Sequence, residues 1–339
     1  MPFKVLVPDA HFRDLDVERG VSGDTIDYLV HDETNSSAIP DDVWNACDAV
    51  LVWHRMRIDA AVVAKLANCR LIVRVGVGFD NVDTAACHQR GIPVANVPNY
   101  GTTEVADHAM AMMLHLTRGL STYEARMRKD PVAGFVAEDA PVVRRLRKTT
   151  FGAVGMGRIG TAIARRAAAF DMKIVYYDPY LPEGHDLSLG YERVRSLEAL
   201  LGQSDVVSLH VPLSANTREM MGAREFAAMK PDATFINIAR GGLYDIDALY
   251  DALRSGHVAA AGLDVFPQEP PVSTPRLVEA WRNNEDWLAG RLVLSPHAAF
   301  YSEAAYRDMR TFSAEILMEY LVAGNLRNNV NPGWNSKVA

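Results

Sequence analysis

The chain has 339 residues, 49% hydrophobic and 23% charged, a length that exceeds one comfortable core and points to two domains. Its formal net charge of -7 leaves no basic excess to displace counterions, which excludes a non-specific nucleic-acid partner. No run approaches the roughly 18 consecutive apolar residues of a membrane span. The opening MPFKVLVPDAHF has too short an apolar run for a signal peptide. Cys47, Cys69 and Cys87 show neither CxxC nor Cys/His spacing, so buried thiols in a reducing, cytoplasmic setting are expected, and no metal site.

Short β-branched runs alternate with helical stretches in two series. The first is KVLV (4–7), AVLVW (49–53), LIVRV (71–75) and PVANV (93–97). The second is FGAVG (151–155), KIVYYD (173–178), VVSLH (206–210), TFINIA (234–239), AAAGLDV (259–265) and RLVLS (291–295). Continuous apolar strands separated by helices mean parallel sheets covered on both faces, and two series mean two sheets. Between them, residues 102–127 read as one long helix. Val105, Ala109, Met112, Met113 and Leu116 fall on one stripe, with Thr102 and Thr103 at its amino end.

Residues 270–291 read as a surface excursion with a short helix. Residues 302–324 are again amphipathic, with Gly324 placed as a C-cap. No strand follows them, so the chain is expected to return to the first series, leaving the second inserted within it. The predicted fold is α/β, with two doubly wound parallel-sheet domains. A Rossmann domain over 102–299 is inserted into a flavodoxin-like domain built from 1–101 and 300–339. The sequence closes on NPGWNSKVA, read as barely beyond the last helix with no added interaction tail.

The segment FGAVGMGRIG sets Gly155, Gly157 and Gly160 in GxGxxG spacing. Alone this is weak, but a strand precedes it, a helix follows it, and the next strand ends in Asp178 about 20 residues on. Gly155 permits the tight turn, Gly157 lets the backbone approach a pyrophosphate, and Gly160 lets helix pack on strand. The helix amino end offers N–H groups and a positive dipole to the phosphates. Asp178 can accept both hydroxyls of an adenosine ribose, whereas a 2′-phosphate there would meet repulsion on the order of 1–4 kcal/mol. NAD is therefore expected over NADP. The plainer reading of Asp178 is a helix or turn cap.

Three more segments end strands of the same series: NIARGGLYD with Arg240, GLDVFPQEPP with Asp264 and Glu269, and LSPHAAFYSE with His297. In a doubly wound sheet their carboxyl ends share one crevice. Arg240 can grip a carboxylate or carbonyl oxygen in a planar fork. His297 can give a proton to a developing alkoxide, and Glu269 can orient that imidazole and keep it cationic. Each has a structural alternative: an ion pair for Arg240, a solvated loop charge for Glu269, a helix cap for His297. His54 and Met56, after the second strand, suit either a pocket wall or a purely structural role. His108, His115 and His257 read as structural or solvated.

At these residues the sequence resembles the D-isomer-specific 2-hydroxyacid dehydrogenase family. The likeness runs from RVGVGFDNVD through NVPNYGTTEVADHA, GMGRIG, LHVPLSANT, ARGG and LDVFPQEPP to SPHAAFYSE. WHRMRI, VRVGVGFDNVD and PHAAFYSE look most like the C-terminal-binding-protein branch and its bacterial relatives. The resemblance implies an NAD-dependent enzyme interconverting 2-keto and (D)-2-hydroxy acids, with Arg240, Glu269 and His297 as its catalytic set. It places Val105, Arg158, Ile159, Asp178, Val211, Ile238, Ala239 and Asp264 around NAD. It gives the backbone N–H groups of Val75, Gly76, Val77 and Gly78 to the substrate carboxylate, and Trp53, His54, Met56 and Phe300 to the substrate pocket. It also implies a homodimer through the NAD-binding domains. The alternative function is an NAD-sensing, corepressor-like scaffold of the C-terminal-binding type. Tyr244 departs from the pattern, which usually has a small aliphatic after RGGL.

Overall fold

A computed structural model describes residues 1–10 and 14–331 and divides into two compact units, Met1–Gly101 with Tyr301–Ala339, and Thr102–Phe300. Residues 332–339, which include most of NPGWNSKVA, and residues 11–13 lie outside the described residues.

The first unit holds β1 (Phe3–Val7), β2 (Ile26–Val30), β3 (Ala49–Val52), β4 (Leu71–Arg74) and β5 (Val94–Asn96), all parallel, in the order β2-β1-β3-β4-β5. That is the flavodoxin-like order. β3 and β4 are buried at every position, as a sheet covered on both faces requires. β2 escapes the sequence reading, which finds four strands here. In IDYLV, Ile26 and Tyr28 are buried while Asp27 and Val30 are exposed, so this edge strand lacks the unbroken apolar run of its neighbours. Helix Glu303–Ala323 belongs to this unit and packs on β4 and on helix Asp16–Ser22. There Arg310 Nη2 lies 2.6 Å from Glu18 Oε2, both side chains buried. Gly324, at φ 73°, ends the long helix in the left-handed region. The chain then regains β5, where Val330 N–H donates to Val94 O at 2.8 Å. Cys47, Cys69 and Cys87 are buried free thiols, and burial pushes the Cys87 thiol up to about 12.

The second unit holds β6 (Thr150–Val154), β7 (Lys173–Tyr177), β8 (Glu192–Arg193), β9 (Val206–Leu209), β10 (Ala233–Asn237), β11 (Val258–Leu263) and β12 (Leu292–Leu294). They run parallel in the order β12-β11-β10-β9-β6-β7-β8, the Rossmann arrangement extended by one strand. The strand order reverses between β6 and β9, and that switch point opens a crevice at the carboxyl ends. β8 is a two-residue charged edge with no apolar signature to find.

One expectation fails. Residues 102–127 form two helices, Thr102–Thr117 and Leu120–Lys129, because Gly119 between them adopts φ 66°. A side chain at Gly119 would also press to 2.7 Å of Val143 Cγ2, so the break is packed as well as left-handed. The stripe through Ala109, Met112, Met113 and Leu116 is buried, and Val105 is half-buried at its amino end. Among the described residues no helix is long and apolar enough to cross a membrane.

Candidate active site

The glycine loop joins β6 to helix Arg158–Ala168. Gly155 stands at φ 89°, and a Cβ there would lie 2.8 Å from His210 O. At Gly160 a Cβ would lie 2.1 Å from Gly155 O, so the helix packs against the loop as closely as glycine allows. Gly157 is the opposite case: a side chain there would meet nothing within 4 Å. This helix has no side-chain cap, and its first internal bond is Thr161 N–H to Gly157 O. The N–H groups of Arg158 and Ile159 therefore end the helix without an acceptor among the described residues. An open glycine beside uncapped N–H groups is the chemistry a pyrophosphate needs.

Asp178 follows β7. Its Oδ2 accepts the Met156 N–H and its Oδ1 the Tyr180 N–H, both at 3.0 Å, so the carboxylate is fixed against the glycine loop. The nearby Arg193 is committed to the carbonyls of Asp178 and Pro182. Val211 packs beside Gly155, Ile238 is buried, and Ala239 is half-buried at the end of β10.

Arg240, Glu269 and His297 follow three adjacent parallel strands, β10, β11 and β12. His297 Nδ1 lies 2.6 Å from Glu269 Oε2, with side chains 28% and 30% exposed, shielded yet reachable. A carboxylate only accepts, so Nδ1 carries the proton in this contact. Phe300 meets the imidazole edge-on, ring centroids 6.3 Å apart. The backbone at His297 is left-handed (φ 53°), unusual for a non-glycine residue, and the surroundings hold it there. The His297 N–H donates to Asp264 O at 2.7 Å, while the Asp264 carboxylate accepts the N–H groups of Ala298 and Ala299.

Asp264 itself is fully buried and also accepts the Ser295 hydroxyl at 2.5 Å, with His108 Nε2 2.9 Å from that hydroxyl oxygen. Asp264, read from sequence only as a cofactor contact, thus also shapes the turn that carries His297. Arg240 Nη1 donates to Ala239 O, and Asn237 clasps the turn by accepting the Ala239 N–H and donating to Arg240 O. Sequence reasoning missed Asn237 and Ser295. For Asn237 the available signal was an amide closing the buried strand ATFIN.

In the first unit, the turn after β3 is built by Asp9 and Asn81. Asp9 accepts the N–H groups of Trp53, Arg55 and Met56, and Asn81 donates to the Trp53 and Met56 carbonyls. His54 is exposed on this turn. Met56 corrects the sequence reading: it is 1% exposed and packs in the unit's core, so its side chain is no pocket wall. Val75 needs a second correction, since its N–H donates to Val52 O at 2.8 Å and is spent on the sheet. The carbonyls of Val75, Gly76 and Val77 are likewise taken, by Arg74 Nη1, Val97 N–H and Asn96 Nδ2. The N–H groups of Gly76, Val77 and Gly78 have no acceptor among the described residues. Gly76 is at φ 128°, and a Cβ would strike Arg74 Nη1 at 1.9 Å.

Comparison with known proteins accords with this geometry. The sequence model of the D-isomer specific 2-hydroxyacid dehydrogenase family, NAD binding domain, matches residues 110–299. The chain belongs to that family. It is 35% identical over 283 residues to a D-3-phosphoglycerate dehydrogenase of Methanocaldococcus jannaschii, covering 84% of this chain and 51% of that one. The chain thus spans about half the length of the curated relatives it matches. Among solved structures it resembles a D-lactate dehydrogenase from Aquifex aeolicus complexed with NAD and lactic acid, at TM-score 0.82 and 28% identity, covering 96% and 98% of the two chains. It also resembles an NADPH-dependent glyoxylate/hydroxypyruvate reductase from Sinorhizobium meliloti, in complex with NADP and malonate, at TM-score 0.85 and 27% identity, covering 97% of each chain. These matches identify the family without selecting its C-terminal-binding-protein branch, and relatives with enzyme names do not favour the scaffold alternative.

Proposed function

We propose that the protein is an NAD-dependent oxidoreductase that interconverts a 2-keto acid and a (D)-2-hydroxy acid. The observation that carries this reading is the 2.6 Å contact between Glu269 and His297 on the sheet edge that also bears the glycine loop. Bound reduced nicotinamide supplies the hydride. Gly155–Gly160 and the helix amino end hold its pyrophosphate, Asp178 its adenosine ribose, and Val105, Val211, Ile238, Ala239 and Asp264 complete its surroundings. His297 Nε2 delivers the proton to the developing alkoxide and recovers it in reverse, while Glu269 keeps the ring aimed and offsets its positive charge. Arg240 offers a planar, charge-assisted fork to the carboxylate or carbonyl oxygen. Within the first unit, the N–H groups of Gly76, Val77 and Gly78 are donors that suit a carboxylate, and within the second Phe300 lies beside the His297 imidazole.

NAD is preferred over NADP because Asp178 stands where a 2′-phosphate would bring like charge. The test is NADH and NADPH oxidation with glyoxylate, hydroxypyruvate, pyruvate and phenylpyruvate. His297→Ala and Arg240→Ala are expected to abolish turnover with NADH. Unchanged rates in both would end the assignment.

The proposed assembly is a homodimer through the NAD-binding units. Leu120, Met127, Val132, Phe135 and Val136 are all exposed on one short stretch, with Val132 and Phe135 86% and 83% accessible, more than an isolated surface needs. Light scattering should give twice the chain mass, and Phe135→Asp should shift it toward the monomer.

A further inference from the structure

Tyr244 follows Arg240, Gly241, Gly242 and Leu243, and its surroundings are specific. It closes the short turn that carries Arg240, directly after the single helical turn Gly241–Leu243. The ring is 1% exposed and packs against Phe235, centroids 6.0 Å apart. A phenol this deep needs a partner, because an unpaired buried hydroxyl is costly where an aliphatic would not be. Its partner is a single carbonyl: the Tyr244 hydroxyl donates to Val265 O at 3.2 Å.

That carbonyl shares one planar peptide unit with the Phe266 N–H, and in a trans peptide the two groups point in opposite directions. Holding the oxygen therefore fixes the direction of the N–H. The Phe266 N–H donates to Glu269 Oε1 at 2.7 Å, and Glu269 Oε2 meets His297 Nδ1 at 2.6 Å. The same turn also presses on the next peptide unit, Phe266–Pro267, at the start of the Glu269 loop. A Cβ at Gly241 would lie 1.8 Å from Phe266 C and 1.9 Å from Phe266 O, so the two backbones are in direct contact.

We infer that Tyr244 is a positioning residue for the Glu269–His297 pair, orienting the Val265–Phe266 peptide whose N–H holds the carboxylate. The inference rests on the catalytic assignment proposed above and extends it. The Arg240 turn and the Glu269 loop become one latched body, so the anion-gripping group and the proton donor keep a fixed relation. Burial and the charge of Glu269 hold the phenol above its ordinary range, which keeps it a donor at any working pH.

The test is Tyr244→Phe, which keeps the ring and removes only the donor. Its kcat is expected to fall about threefold to tenfold, the scale of one lost neutral hydrogen bond, while the NADH dissociation constant stays at the parent value. A residue that merely packs would leave kcat per folded molecule unchanged. In the Glu269→Gln background, where the relay is already altered, the same substitution should lower kcat by less than about twofold. Tyr244→Met, which fills similar volume without a donor, should follow Tyr244→Phe if the latter is poorly soluble. Parent kcat in these variants, or the same loss in both backgrounds, would overturn the latch even while His297→Ala is inactive. Parent rates in His297→Ala and Arg240→Ala would instead remove the catalytic assignment, and the latch with it.

Discussion

The two oxygens of Glu269 have different partners, a backbone N–H on one and an imidazole on the other. A glutamine there can serve only one of them as acceptor, and its amino group confronts the other. Glu269→Gln is therefore expected to lower kcat about 10²-fold, within the usual contribution of a positioned acid, with NADH binding intact by fluorescence titration. Asp178 is argued the same way. Both its oxygens hold backbone N–H groups, which fixes its charge beside the glycine loop, and in the proposed cofactor site a ribose 2′-phosphate would meet that charge. Asp178→Ala should move the NADH-to-NADPH ratio of kcat/KM toward NADPH by about 10- to 100-fold, the equivalent of the repulsion removed. A ratio unmoved by the substitution would show that discrimination lies elsewhere. Arg240, Glu269 and His297 stand out in the sequence because each follows an apolar strand within a few residues. Asn237 and Ser295 do not, and for Tyr244 the sequence shows only an unexpected aromatic without its role. Their importance lies in bonds to groups such as Asp264 and Val265, separated by a length of chain that only the fold closes.

Strands β1, β3–β7 and β9–β12 are legible because sheets covered on both faces leave continuous Val, Ile and Leu runs. The edges are not: β2 alternates around Asp27, and β8 is only Glu192–Arg193. The break at Gly119 was missed for another reason, since apolar spacing continues through TRGLST and only the backbone angle shows the stop. Helix Ile246–Arg254 shows how local chemistry sets a boundary. The Asp245 side chain accepts the N–H groups of Asp247 and Ala248, satisfying donors that the helix leaves open at its start. Asp245→Ala should cost about 1 kcal/mol and lower the melting temperature by roughly 2–4 °C, read by calorimetry. The helix follows the turn that carries Arg240, so a change in kcat beyond the loss of folded protein would show that the cap also steadies that turn.

Across the whole chain, two buried titratable groups answer acid in opposite senses, one in each unit. Asp9, fully buried, has its pKa pushed up to about 6 by burial, against the three N–H groups that favour its charged form. The folded first unit thus binds a proton that the unfolded chain, with a carboxyl near 3.8, releases. Asp9 weakens the fold as pH rises from about 4 to about 6, by up to about 3 kcal/mol in all, and relieves it as pH falls. His210 in the second unit is the reverse. Although the residue is only half-buried, both ring nitrogens are sealed without a hydrogen-bond partner among the described residues, and burial lowers the pKa from 6.5 to about 3. Here the unfolded chain takes the proton first. The contribution is whole above about pH 6.5 and is lost at about 1.4 kcal/mol per pH unit as pH falls below it. Between about pH 4 and 6 the two nearly offset in the total, and substitution should uncover each. Relative to the parent, Asp9→Asn should lose ground progressively as pH is lowered through that window, because it cannot take up the stabilising proton. His210→Asn should gain ground over the same range. Urea unfolding of the three proteins at half-unit pH steps measures both slopes, and slopes of the same sign would refute the opposed burial of these two groups.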